Sequence, residues 1–150
     1  MVSLDHLGRP MPLEISILEK SDLMFMRSHG LVTDADSIAA FETYATHPAA
    51  RPGQNMLADM SGIEESRIDY QKRMALHSIM EPILTMGGKA RTYVMYVPDG
   101  KSAKLAKNYL RFWEAVPLID VHLTASESEA LLILQLPYRS FAEMIAAEKD

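Results

Sequence analysis

Leu13, Ile15 and Ile17 alternate with Glu14 and Ser16, the two-residue period of a strand with one buried face. A turn-like Glu19-Lys20-Ser21-Asp22 follows, and apolar content resumes from Leu23 to Met26. The two runs predict an antiparallel hairpin that ends by Gly30. Thr33 or Asp34 can cap the next helix, on which Ile38, Phe41, Tyr44 and Ala45 recur on one face until the break at His47-Pro48. Two prolines and a glycine between His47 and Gln54 read as a surface connector. It leads into Met56-Leu57-Ala58, predicted to be a central buried strand that closes in the polar turn Asp59-Met60-Ser61-Gly62-Ile63. Ligands of open α/β sheets gather at the carboxyl ends of strands, so Asp59, Ser61 and Gly62 are the first candidate site residues.

A second helix is expected over residues 68–86, with Ala75, Leu76, Ile79, Met80 and Ile83 as its core stripe. Tyr70, Met74, His77 and Glu81 follow i, i+4, i+7, i+11 spacing and should project together on another face. Pro82 should kink this helix or mark a boundary near Glu81, and Gly87-Gly88 stops it. Thr92 to Val97 is β-branched and aromatic, as a buried strand should be, before the turn Pro98-Asp99-Gly100. The helix from about Ser102 has an apolar arc of Leu105, Ala106, Tyr109, Phe112, Trp113 and Val116, opposite Lys101, Lys104, Lys107 and Arg111. Ile119 to Leu123 reads as the last strand, and Ser126 with Glu129 and Ser140 with Glu143 fit capping boxes for two closing helices. Strands alternating with helices in this way predict an α/β domain over residues 13–150: an N-terminal β-hairpin, then β-α units, about five strands in all, with helices packed on the sheet. Residues 1–12, with Gly8, Pro10 and Pro12, read as an irregular lead-in.

Composition narrows the function more than it names it. One domain of 150 residues can bury a full core unaided. Its lack of cysteine removes disulfides, thiolate nucleophiles and cysteine metal ligands, and fits the cytoplasm. The start Met1-Val2-Ser3-Leu4 does not resemble a secretory leader, and no apolar run has the length of a membrane span, so neither secretion nor membrane insertion is expected. Twenty acidic residues against 15 basic ones give a net charge of −5, the wrong sign for a chain that mainly binds nucleic acid.

Catalytic signatures are missing too. His6, His29, His47, His77 and His122 form no metal-ligand spacing, and Met60-Ser61-Gly62 lacks the first glycine of a nucleophile elbow. Neither Gly87-Gly88 nor Asp99-Gly100-Lys101 has phosphate-loop spacing, so no metal or cofactor is expected. Asp59, Ser61, Asp99 and Lys101 should instead converge at the ends of the third and fourth strands, able to bind a ligand or partner.

This element order, with Asp59-Met-Ser-Gly-Ile63 closing the third strand, resembles the SpoIIAA-like fold shared by anti-sigma-factor antagonists (STAS domains) and CRAL-TRIO lipid carriers. The likeness spans about residues 13–136 and is nearest to the stand-alone bacterial members. In STAS domains the motif is followed by Ile-Asp and a phosphorylatable Ser or Thr. Here Ile68-Asp69 comes two residues late and Tyr70-Gln71 occupy the hydroxyl positions, which leaves Ser61 and Ser66 as the nearby phosphorylation candidates. The resemblance implies a non-enzymatic regulatory or protein-interaction module, working through Tyr70, Met74 and His77 or through the third-strand turn. A homodimer is expected, since Tyr70 and Met74 lie outside the core stripe. The lipid-carrier branch implies instead a carrier or sensor of a small apolar or lipid-like ligand, with a pocket lined by Met56, Met80, Met95 and Tyr109; apart from that resemblance, the partner expected is a protein or a small apolar or anionic ligand. An enzyme with an unrecognised site is the third reading.

Overall fold

The computed structural model describes residues 11–149, so most of the lead-in expected at 1–12 and the final residue lie outside the described residues. β1 (Leu13–Leu18) and β2 (Leu23–Thr33) form the antiparallel hairpin, joined by a single helical turn at Glu19–Ser21. β3 (Asn55–Arg67), β4 (Arg91–Tyr96) and β5 (Ile119–Thr124) then add in parallel, giving a five-stranded mixed sheet in the order β1-β2-β3-β4-β5. Five helices are described: α1 (Asp34–Ala45), α2 (Tyr70–Leu84), α3 (Gly100–Glu114), α4 (Glu127–Ile133) and α5 (Phe141–Glu148).

The period of two divides each strand between two cores. Met24, Met26, Met56, Ala58, Tyr93 and Met95 face α1, α2 and α3, where they meet Phe41, Leu76, Met80 and Trp113. Leu23, Phe25, Leu57 and Val94 face α4 and α5, where they meet Ala130, Leu131, Phe141 and Met144. Each fully buried side chain of this size contributes about 1.5–3 kcal/mol relative to exposure.

Local signals explain most helix starts. Thr33 caps α1, accepting from the Asp36 amide while the Asp36 side chain accepts from the Thr33 amide. Ser126 and Ser140 cap α4 and α5 through the amides of Glu129 and Glu143, but neither glutamate completes a box. Thr124 already accepts from the Ser126 amide, and Glu143 accepts from that of Arg139. The 47–54 connector is pinned by buried Arg91, which donates to the carbonyls of Leu84, Gln54 and Arg51 and to the Tyr44 hydroxyl.

Several expectations need correction. β2 does not stop by Gly30 but runs to Thr33, passing Gly30 at φ +59° with register shifts before and after it. β3 does not end in a polar turn: its 13 residues carry Asp59, Ser61 and Gly62 inside the strand, because β2 keeps pairing with it beyond the reach of β4. On α1, Ala45 is exposed while Asp34 and Ser37 are buried. α2 covers residues 70–84 rather than 68–86, contains Pro82, and is rotated from the expected stripe. Arg73, Leu76, His77, Met80 and Leu84 face inward, whereas Ala75 is exposed and Ile79 is 62 % exposed.

Candidate functional site

The rotation of α2 follows from what Arg73 and His77 meet inside. Arg73, 2 % exposed, donates from Nε to Asp34 Oδ1 at 3.1 Å and from Nη2 to Ser37 Oγ at 3.2 Å. Its Nη2 also stands 2.9 Å from Asp34 Oδ1. The other Asp34 oxygen accepts from the Asp69 amide at 2.6 Å, next to the start of α2. One buried carboxylate thus ties the amino ends of α1 and α2 together. A buried charge survives only when paired and hydrogen-bonded, so this network dictates which face of α2 turns inward. The Arg73 guanidinium also lies 4.9 Å from the centre of the Tyr109 ring.

One turn further on, His77 is buried between Phe112 at 5.6 Å and Trp113 at 5.2 Å, and neither ring nitrogen has a hydrogen-bond partner. Burial first, and the charge of Arg73 second, lower its pKa from the ordinary 6.5 to about 4, so it is neutral at pH 7. Burial raises the pKa of Tyr93 and of Tyr109, so both stay protonated. Ser66 acts on the Tyr109 hydroxyl, yet neither oxygen has a hydrogen bond of good geometry.

Between the sheet and α1–α3 lies a cavity of about 50 Å³, room for roughly three or four waters. Met26, Met60, Met95 and Trp113 form its apolar wall, with Arg73, Ser37 and Tyr109 among its polar lining. Of the four residues expected to line a pocket, Met95 and Tyr109 do so. Met56 and Met80 do not, being 0 % and 1 % exposed and packed into the core.

Outside, α2 and α3 enclose a groove of about 310 Å³ that brings together Tyr70, Met74, His77 and Glu81 with Arg111 and Phe112. Tyr70 is 60 % exposed and Met74 43 %, while His77 forms part of the buried floor. The expectation that these residues share one side of α2 therefore meets a correction at His77, which is not on the outer face.

The strand-end candidates play local roles. Asp59 is largely buried, 3.5 Å from Arg27 Nε, and accepts from the Ser61 amide at 3.0 Å. Ser61 is exposed but sits within β3, not at a helix start. Ser66 Oγ is closed to solvent. Gly62 lacks a positive φ; a Cβ there would lie 2.7 Å from the Ser28 carbonyl oxygen, so close approach of β2 is what calls for glycine. Asp99 caps α3 in a reciprocal box with Ser102, and those hydrogen bonds lower its pKa. Lys101 is exposed on the first turn of the same helix. Asp59 and Asp99 do share a neighbourhood: after burial and Glu127, their charges help to raise the pKa of Tyr96.

Sequence reasoning missed Arg73, Asp34 and Ser37. A signal existed, because Arg73, Leu76, His77, Met80 and Leu84 keep helical spacing as well as the apolar stripe does. No group of three or more potential metal ligands gathers among the described residues, and no described helix is long and apolar enough to cross a membrane. The chain matches no protein-family model, no curated protein and no solved structure. What fold and site define is an α/β domain with a mixed five-stranded sheet, three helices on one face and two on the other.

Proposed function

We propose that the chain is a non-enzymatic regulatory or protein-interaction module of the STAS-like kind, acting in the cytoplasm and associating through the face shared by α2 and α3. The observation that carries this reading is the exposure of Tyr70 and Met74 side by side along a ready-made groove. Large apolar side chains left in water beside a concavity are what an interface removes from solvent. A homodimer is the simplest form, since two-fold association presents one patch to itself. His77, the one strongly shifted histidine among the described residues, has no partner that could orient it as a general base. Light scattering tests the reading: the wild type is expected to be a dimer at high micromolar concentration and Met74→Glu a monomer. A monomeric wild type that captures no partner contradicts it.

The small-ligand carrier remains as a second reading because the central cavity has a polar lining of Arg73, Ser37 and Tyr109. At about 50 Å³ it is far below the roughly 300–1,000 Å³ of drug-sized ligand sites, so a carrier role requires α1–α3 to part from the sheet. Native mass spectrometry of freshly purified protein would reveal a retained ligand.

A further inference from the structure

Beyond Tyr70 the α2–α3 groove meets a second hollow of about 470 Å³, which shares Tyr70, Arg111 and Phe112 with it and adds Lys107 and Asn108. From this geometry we infer that the hollow binds a small aromatic anion, a free molecule with a flat ring and one carboxylate, phosphate or sulfonate group.

Charge comes first. Lys107 and Arg111 lie four residues apart on α3 and so share a face. Neither forms an ion pair or hydrogen bond with a described residue, and no carboxylate lines this hollow. In a chain of net charge −5, two uncompensated cations beside one concavity make a local site of the opposite sign. Arg111 is also held in place: its guanidinium lies 5.9 Å from the centre of the Tyr70 ring and 5.3 Å from that of Phe112. A stacked guanidinium keeps its planar fork of donors available for an oxyanion with less ordering to be done on binding.

Shape and ring chemistry supply the other half. Tyr70 and Phe112 stand 5.7 Å apart at 50°, and Phe112 continues to His77 at 5.6 Å, so aromatic surface runs from the basic hollow into the neighbouring groove. The two spaces, about 470 and 310 Å³, are of ligand-site size. At the floor of the neighbouring groove, His77 is more than nine-tenths buried and both its ring nitrogens are closed to solvent, so it adds aromatic surface there and no polar contact. Two cations and one aromatic wall match a single anionic group on a single ring, and fall short of the long basic surface a nucleic acid needs.

Titration calorimetry on the full chain with phenyl phosphate, inorganic phosphate and phenol tests this. Phenyl phosphate is expected to bind saturably and at least tenfold more tightly than either fragment, and added salt should weaken it. Arg111→Gln and Lys107→Gln should each weaken it about tenfold, Arg111→Lys less than Arg111→Gln, and Lys89→Gln, remote from the hollow, not at all. The replaced side chains are exposed, and circular dichroism would check that the variants fold. The inference is overturned by no saturable binding up to about 10 mM, well past a millimolar Kd, by phenol matching phenyl phosphate, or by Arg111→Gln binding like the wild type. It shares Tyr70, Arg111 and Phe112 with the face proposed for self-association, yet the two fail separately: a monomer that binds phenyl phosphate keeps this site and removes the dimer, and a dimer blind to phenyl phosphate does the reverse.

Discussion

Neighbouring residues of one strand go to opposite sides of the sheet, so Met56 and Ala58 face α1–α3 while Leu57 between them faces α4 and α5. The α4–α5 side is packed with apolar side chains, and Phe141 seals it by edge contacts with Phe25 at 5.8 Å and Tyr96 at 5.0 Å. The α1–α3 side shares the same strands but encloses an ion pair, a neutral histidine without partners, an unpartnered tyrosine hydroxyl and a cavity. Polar groups buried without full hydrogen bonding cost stability, and a fold gains nothing from them as packing. The comparison teaches that both faces supply apolar packing, while the α1–α3 side also carries features that packing alone does not require, which is where functional sites are expected.

The largest effect should come from breaking the dry face. Phe141→Ala removes a ring that is 2 % exposed and should cost about 3–5 kcal/mol in urea unfolding. A loss below about 1 kcal/mol would mean that α5 is not part of the cooperative core. On the other face, Arg73→Met leaves Asp34 buried without its cation and should cost about 3 kcal/mol or more. Adding Asp34→Asn in the same chain should recover much of that, because the stranded charge is gone. No recovery in the double variant would show that Arg73 acts by packing alone.

Smaller effects test the junction of β2 and β3. Gly62→Val sets a Cβ 2.7 Å from the Ser28 carbonyl oxygen, an overpacking worth about 1–3 kcal/mol. Ser61→Ala, at an exposed position in the same strand, should cost at most about 1 kcal/mol. Equal losses at both would contradict the close approach of the strands. A pH dependence tests the buried histidine of the other face. With the folded pKa of His77 at about 4 and its unfolded value near 6.5, the unfolded chain binds more protons between them. Stability is therefore undiminished above pH 6.5 and falls as the pH drops towards 4. His77→Leu should flatten that part of the curve relative to the wild type; parallel curves would place His77 in a more polar setting.

Much of the fold is legible in the sequence because its signals are local. The Thr33 cap, the alternation in β1, the aromatic fourth strand and the arc of Ala106, Tyr109, Phe112 and Trp113 each lie within a few residues of chain. What escaped depends on distant partners. The rotation of α2 comes from Arg73 meeting Asp34, 39 positions earlier, and the length of β3 comes from β2, whose register no local rule contains. Asp59-Met60-Ser61-Gly62 resembles a turn because polar and small residues gather there, yet continued pairing keeps it extended. Tyr70 and Met74 were visible as candidates from spacing, while the facing Arg111 and Phe112 on α3 needed the fold to bring them over.

Whether the α1–α3 side is the working face can be measured with one pair of charge substitutions. Sedimentation equilibrium on Met74→Glu in α2 and Leu132→Glu in α4, both large apolar side chains exposed in the isolated chain, puts the same new charge on each side of the molecule. Dissociation to monomer with Met74→Glu and a dimer unchanged by Leu132→Glu is the predicted result. A dimer indifferent to Met74→Glu but broken by Leu132→Glu would contradict it and move the interface to the opposite face.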